Sequence, residues 1–306
     1  MSGTNDLSMT RRGVLASAAA GAGAATLGAT PALAQSRKTF VLVHGAWHGG
    51  WCWRRVAALL EKKGHKVFAP TLTGVGERSH LMSKDINLDT HITDIVNLLK
   101  WEDLRDICLV VHSYGGWPGS GAIEHTLDRI SSIVWLDAFK PEDGQRGFDF
   151  ASEFSRKALL EAVARGEAGR PAPKAEAFFV NEKDRAWVDS KMTSQPNGVA
   201  LQPIKLTGAR EKVAKKTYIR AVKYPQPAFD KALAECKADK SWRTFEAPAS
   251  GHDVMVDAPD WLADTRPHFV DGVTGRPPPS KPLARYGAFW WRASLAACLA
   301  RRSSLN

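Results

Sequence analysis

Cysteine is scarce in this chain, with four in 306 residues. Cys52, Cys108, Cys236 and Cys298 stand too far apart to form a C-x-x-C zinc or redox motif, so no metal is expected and any disulfide stays unassigned. Acids are short as well: 32 Asp and Glu against 42 Lys and Arg leave a formal charge of +10. Spread over one domain, that surplus would point to nucleic acid. It is not spread. One excess positive charge lies in residues 1–34 and six lie in residues 276–306, which leaves three for residues 35–275. A domain so nearly balanced has no electrostatic reason to bind a phosphate backbone. Long apolar runs are also missing after the amino terminus. The aromatic piece around Phe289, Trp290 and Trp291 is cut by Arg292, so stable membrane insertion of the mature chain is not expected.

What is present begins with an address. Thr10-Arg11-Arg12-Gly13-Val14-Leu15 sets an arginine pair before an uncharged Ala/Gly-rich run reaching Ser36, and Ala32-Leu33-Ala34 supplies small residues for a signal peptidase ahead of Gln35. This resembles a twin-arginine export signal over residues 1–34, with a mature chain released to the periplasm or beyond. The run holds few large aliphatics, which makes it a poor stop-transfer segment. At the other end, Pro277-Pro278-Pro279 opens a basic, aromatic tail over residues 276–306.

Between these ends, strand and helix patterns alternate. Thr39-Phe40-Val41-Leu42-Val43 is an apolar strand ending at His44-Gly45, and residues 51–63 read as a helix with a glycine stop at Gly64. Residues 66–70 make a strand, 91–99 an amphipathic helix, 107–111 a strand, 114–127 a helix and 130–136 another strand. Strands separated by helices in this way imply a mostly parallel sheet covered by helices on both faces. From about 141 to 210 the rhythm fails. Charged, helix-favouring pieces at 155–165 and 175–191 sit among Pro171, Pro173, Pro196 and Pro203, as expected of a helical cap. Alternation resumes with a strand at 217–221, a helix at 229–236, a strand at 242–246 and a helix near 261–269.

The chemistry concentrates at Leu109-Val110-Val111-His112-Ser113-Tyr114-Gly115-Gly116. A buried strand that stops on a serine and restarts in glycines reads as a nucleophile elbow, which lifts the hydroxyl clear of the sheet at the start of a helix. Val111 departs from the G-x-S-x-G pattern, because a β-branched residue stands at the first small position and crowds the turn. A serine hydroxyl is a weak nucleophile and needs a base. His252, on the small-residue loop after the last strand, is the candidate, whereas His112 is expected to point away on the pleat and His44, His80 and His91 to be structural or pocket-lining.

Three blocks carry a family resemblance over roughly residues 38–270: Phe40-Val41-Leu42-Val43-His44-Gly45-Ala46-Trp47-His48-Gly49-Gly50-Trp51-Cys52-Trp53, then His112-Ser113-Tyr114-Gly115-Gly116, then Gly251-His252-Asp253-Val254-Met255. The sequence resembles the small α/β-hydrolases that group plant methyl-ester esterases and hydroxynitrile lyases with bacterial esterases. The resemblance implies an α/β-hydrolase fold, an acyl-enzyme on Ser113 with His252 as base, and oxyanion donors in the backbones of Ala46 and Tyr114. Trp47, His48, Trp51 and Trp117 are possible pocket residues. The expected substrate is a small-molecule carboxylic ester, with no cofactor. Two alternatives stand beside this: a hydroxynitrile lyase, which would carry threonine where Gly45 stands and lysine where Asp253 stands, and a binding protein on the same fold that has lost its chemistry.

The triad acid is where the sequence leaves the family pattern. Relatives supply an aspartate after the penultimate strand, but Val222-Lys223-Tyr224-Pro225 has none, and Asp230 lies beyond it. Asp137, closing Ile133-Val134-Trp135-Leu136-Asp137, is the preferred acid, with Asp230 as the alternative. The order Ser113, Asp137, His252 keeps that of the fold. For export, replacing Arg11 and Arg12 by lysine is expected to strand full-length precursor in the cytoplasm, while the unaltered chain yields a mature protein beginning near Gln35. Amino-terminal sequencing of each fraction checks this, and unchanged export in the double mutant contradicts it.

Overall fold

The computed structural model describes residues 37–247 and 250–264, so the expected signal over 1–34 and tail over 276–306 lie outside the described residues. The first half runs β1 (Thr39–Val43), α1 (Arg54–Lys62), β2 (Lys66–Phe68), α2 (Leu88–Trp101), β3 (Ile107–His112), α3 (Gly116–Thr126) and β4 (Ile130–Leu136). An insertion follows with α4 (Glu153–Ala164), β5 (Gly169–Arg170), α5 (Glu182–Lys191), β6 (Gln195–Pro196) and α6 (Gly198–Leu201). The chain then returns through β7 (Lys215–Ala221), α7 (Pro227–Ala238), β8 (Trp242–Ala247), α8 (Val254–Asp257) and α9 (Pro259–Asp264).

Six strands form one sheet in the order β2-β1-β3-β4-β7-β8, every neighbouring pair parallel. Parallel strands need both faces covered, and the alternation along each strand shows how that is met. Val41, Val43, Leu109, Val111, Ile133 and Trp135 enter one apolar cluster with Ile92 and Ile95 of α2 and Ile123 of α3. Phe40, Leu42, Val110, Val134 and Leu136 enter the other, with Val56 and Leu60 of α1 and Leu262 of α9. Local signals start and stop the helices. Asn87 accepts the Thr90 N–H at 3.1 Å while Thr90 Oγ1 accepts the Asn87 N–H at 3.3 Å, a reciprocal cap that opens α2. The strand order reverses between β1 and β3, and in such sheets the carboxyl ends at the reversal form a crevice.

Two parts of the insertion differ from the sequence reading. The piece at 175–191 is not one helix: a 3-10 turn over Ala175–Phe178 ends at Phe179, whose φ of +59° breaks the chain before α5. The short antiparallel pair β5–β6, whose strands flank α5 in the chain, has no counterpart in the sequence pattern, since two-residue strands carry no periodicity.

The elbow accommodates Val111 through its neighbour helix. A Cβ added to Gly119 of α3 would lie 2.5 Å from Val111 Cγ1, and one added to Gly116 would lie 1.9 Å from the Phe139 carbonyl oxygen. The bulk that the elbow usually lacks on the strand is thus absent on the helix instead. Gly119→Ala is expected to destabilise the protein by about 1–3 kcal/mol, the usual range for overpacking, and Val111→Ala in the same chain to restore most of it. Thermal denaturation of both checks this; equal loss in the single and double mutants contradicts it.

Candidate active site

Ser113 sits where β3 ends, at φ +53°, in the left-handed region that non-glycine residues rarely adopt. Asp137, at the end of β4, and Trp47, after β1, share that strain at +43° and +64°. Such positions each cost on the order of 1–3 kcal/mol and persist only where the surroundings impose them. Here three of them fall at the carboxyl ends of adjacent strands.

The loop after β8 brings His252 to the same edge, where the His252 N–H donates to the Phe178 carbonyl at 2.9 Å. Its Nδ1 lies 2.6 Å from Asp137 Oδ2 and its Nε2 2.8 Å from Ser113 Oγ. A neutral imidazole satisfies both contacts, with Nδ1–H donating to the carboxylate and Nε2 accepting the serine O–H. Tyr224 stacks on the His252 ring and His112 packs against it at a 43° tilt, each at 4.4 Å between centroids. All three members are withdrawn from water, Ser113 at 9% exposure, His252 at 3% and Asp137 at 0%. The structure therefore brings together the residues that the sequence singled out as nucleophile, base and preferred acid.

Asp137 has a second partner that the sequence reading missed. Its Oδ1 accepts from Arg220 Nη1 at 2.7 Å and from the Ala221 N–H at 2.9 Å. Arg220 is buried and donates further to the carbonyls of Ala221 and Tyr224. Burial works against its charge, but Asp137 and Asp230 outweigh that and hold its pKa above the ordinary arginine value. A signal was available: an arginine inside the strand Tyr218-Ile219-Arg220-Ala221 must find a buried carboxylate. Asp230, on α7, meets Arg220 Nε at 2.9 Å with its own side chain 63% exposed. It touches Arg220 from the outer side and makes no contact with His252.

His48 and Asp253 form a further buried pair. His48 Nε2 lies 3.0 Å from Asp253 Oδ2 and its Nδ1 lies 2.7 Å from the Ala46 carbonyl, so both ring nitrogens face acceptors and the ring is an imidazolium. Burial would lower the His48 pKa, yet the Asp253 carboxylate holds it above the usual histidine value. Burial alone would raise Asp253, and His48 reverses it to well below the carboxylate range. His48 thus ties the Ala46 loop to the residue after His252, and Trp51 stacks on it at 5.2 Å. Trp117 is core, packed on Phe139 and Phe150. Of the four possible pocket residues, Trp47 and Trp51 are only partly buried.

His112 has a supporting role that the sequence did not suggest. Its Nε2–H donates to the His252 carbonyl at 3.0 Å, so it supports the loop from behind, and burial keeps its pKa well below the ordinary value. His44 is pushed by burial down to about 3 and is pinned by the Gly45 carbonyl and the Leu72 N–H. His91, lowered by burial to about 4, accepts from the Tyr114 hydroxyl and donates to the Thr73 carbonyl. His80 is exposed.

The Ala46 N–H has no acceptor among the described residues, and Ala46 opens a turn beside Ser113. Tyr114 is the second residue of the turn that starts α3, where backbone N–H groups lack helical partners. Trp47 fixes the Ala46 loop by donating its N–H to Gln195 Oε1 at 2.8 Å and accepting the Thr193 N–H at 3.0 Å. Cys52, Cys108 and Cys236 are buried free thiols; Cys298 lies outside the described residues. Among the described residues no group of His, Cys, Asp and Glu is arranged to hold a metal ion.

A parallel sheet with a strained serine at the strand-order reversal, facing a histidine and a buried aspartate, defines an α/β-hydrolase. The chain belongs to the alpha/beta hydrolase family, whose model matches residues 40–265. It is 38% identical over 239 residues to a carbendazim hydrolyzing esterase of a Nocardioides species, an alignment covering 74% of this chain and 96% of that protein. It is 37% identical over 109 residues to methylesterase 4 of Arabidopsis thaliana, covering 35% of this chain and 41% of the relative, so it spans under half of that plant protein. In fold it is similar to an extracellular alpha/beta-hydrolase from a Paenibacillus species, with a TM-score of 0.67 at 23% identity over 76% of this chain and 100% of the other.

The geometry separates the two acids. Asp137→Asn is expected to cut ester turnover by at least about a hundredfold, because an asparagine facing Nδ1 favours the wrong imidazole tautomer. Asp230→Asn is expected to change it less than about threefold, as an exposed partner of Arg220 contributes little. Steady-state kinetics on both variants decides, and the reverse ranking contradicts the assignment.

Proposed function

We propose that the protein hydrolyses carboxylic esters through an acyl-enzyme on Ser113. The observation that carries this is the unbroken chain of contacts Ser113 Oγ, His252 Nε2, His252 Nδ1, Asp137 Oδ2, at 2.8 and 2.6 Å. Ser113 Oγ attacks the ester carbonyl as its proton passes to His252 Nε2, and the carbonyl oxygen becomes an anion facing the N–H groups of Ala46 and Tyr114. A preorganised donor of this kind contributes about 3–4 kcal/mol to the transition state. Asp137 stabilises the imidazolium, which then protonates the departing alkoxide. Water, activated by the same histidine, attacks the acyl group, releases the acid and restores Ser113. No step requires a metal or an organic cofactor.

The lyase alternative meets two obstacles. A side chain at position 45 would begin 2.9 Å from both His112 Nδ1 and Ser113 Cβ, leaving no room for a threonine. Position 253 holds the carboxylate that pairs with His48 rather than a lysine. A purely binding role is disfavoured because the serine, base and acid are all intact and in contact. The reading further places the enzyme outside the cytoplasm, on the arginine pair and Ala32-Leu33-Ala34 in the sequence, and treats the segment between β4 and β7 as the cap that selects the substrate.

The test uses protein beginning at Gln35, a panel of aryl esters of increasing acyl length and a fluorophosphonate probe. The unaltered enzyme is expected to turn over the shorter esters and to label, and Ser113→Ala to lose both while unfolding at a similar temperature. Labelling that persists in Ser113→Ala contradicts the nucleophile assignment.

A further inference from the structure

Arg170, on β5 beside the Ala46 loop, is a cation with no carboxylate partner among the described residues. Arg55 meets Asp184 at 2.6 Å, Arg210 meets Glu211 at 2.9 Å and Arg220 meets Asp137 at 2.7 Å, while Arg129 donates to the Leu99 and Leu104 carbonyls at 3.3 and 3.1 Å. Arg170 has only a long bond from Nη1 to the Pro196 carbonyl, at 3.4 Å, and its guanidinium carbon lies 5.4 Å from the centre of the Trp47 ring. Burial lowers its pKa to about 10, the Tyr114 phenol being the one ionisable group that opposes the shift, so it is charged at neutral pH.

Its surroundings are rich in donors with nothing to donate to. Gln195 stands directly opposite Arg170 in the antiparallel β5–β6 register, which puts both side chains on one face of the strand pair. Gln195 spends Oε1 on the Trp47 N–H, while its Nε2 and the Trp47 Nε1 are buried with no partner among the described residues. Buried donors left unpaired are costly, and a partly buried guanidinium without an anion adds to that. A ligand oxyanion held by Arg170 would supply the acceptor this cluster lacks. Trp47 follows Ala46, so such a ligand group would lie next to the candidate oxyanion hole.

We propose that Arg170, Gln195 and Trp47 form a subsite beside the Ala46 loop that binds a carboxylate carried by the ester substrate, on its acyl or its alcohol side. The substrate class is therefore half-esters of dicarboxylic acids or acyl esters of hydroxy acids. That the ligand is an ester rests on the esterase reading above; the carboxylate preference rests on the three donors.

Two substrate pairs separate the sources of the carboxylate: monomethyl glutarate against its carboxamide, and acetoxyacetate against acetoxyacetamide. The unaltered enzyme is expected to favour the carboxylate member of one pair by at least about tenfold in kcat/KM, since charge-assisted bidentate bonds to arginine are strong. That ratio falls toward one in Arg170→Met and is partly kept in Arg170→Lys. A wild-type enzyme with no preference in either pair, or a preference that survives Arg170→Met, overturns the proposal. Calorimetric titration of Ser113→Ala with both carboxylate esters gives a readout free of turnover: binding of one, lost on adding Arg170→Met, supports the subsite, and no binding of either counts against it. Turnover of the carboxamide esters alone would sink the subsite and leave the esterase reading standing. Binding through Arg170 with no ester cleaved by the unaltered enzyme would do the opposite.

Discussion

The site depends on one carboxylate shared between a standing cation, Arg220, and a histidine that becomes one during the reaction. Asp137 is fully buried, and each of its oxygens is committed: Oδ2 to His252 Nδ1, Oδ1 to Arg220 and to the Ala221 N–H. An ionised aspartate with no access to water would be unstable alone, since its desolvation penalty amounts to several kcal/mol. Arg220 offsets that penalty before any chemistry occurs, and leaves Oδ2 free to orient the histidine. Asp230 then balances part of the arginine charge from the outer side. Placing the acid after β4 thus required a cation on β7, the neighbouring strand in the sheet.

The same logic recurs behind His252. The His48–Asp253 pair is internally neutral and links the Ala46 loop to the residue next to the base, so a shift of either loop breaks a buried ion pair. The insertion adds a third tie, because Phe178 receives the His252 N–H and Gln195 with Thr193 brackets Trp47. Donor, base and nucleophile are therefore referenced to one another through the rigid ends of strands. Strain at Ser113, Asp137 and Trp47 is held by that frame.

Much of this was legible in the chain. The apolar strands 39–43, 107–111 and 130–136 stood out because both faces of a parallel sheet are buried; Ser113 stood out because it ends such a strand before glycines, and His252 because it lies on a small-residue loop after the last strand. What stayed hidden was set by contacts across the fold. Nothing local in Tyr218-Ile219-Arg220-Ala221 says which carboxylate meets the arginine, and nothing local in Gly169-Arg170 or Gln195-Pro196 announces a strand pair. His48 looked like a pocket residue because its partner is 205 positions away. Val111 read as a defect until Gly119, on the facing helix, supplied the missing space.

The central claim is that Ser113 carries the acyl group between attack and hydrolysis. Acid-quenching the enzyme during turnover of an aryl acetate, followed by peptide mass spectrometry, tests it directly. The account predicts an acetyl group on the peptide containing Ser113, appearing within the first turnover and lost when substrate is exhausted. An active enzyme that never carries the acyl group, or carries it on another residue, would contradict it.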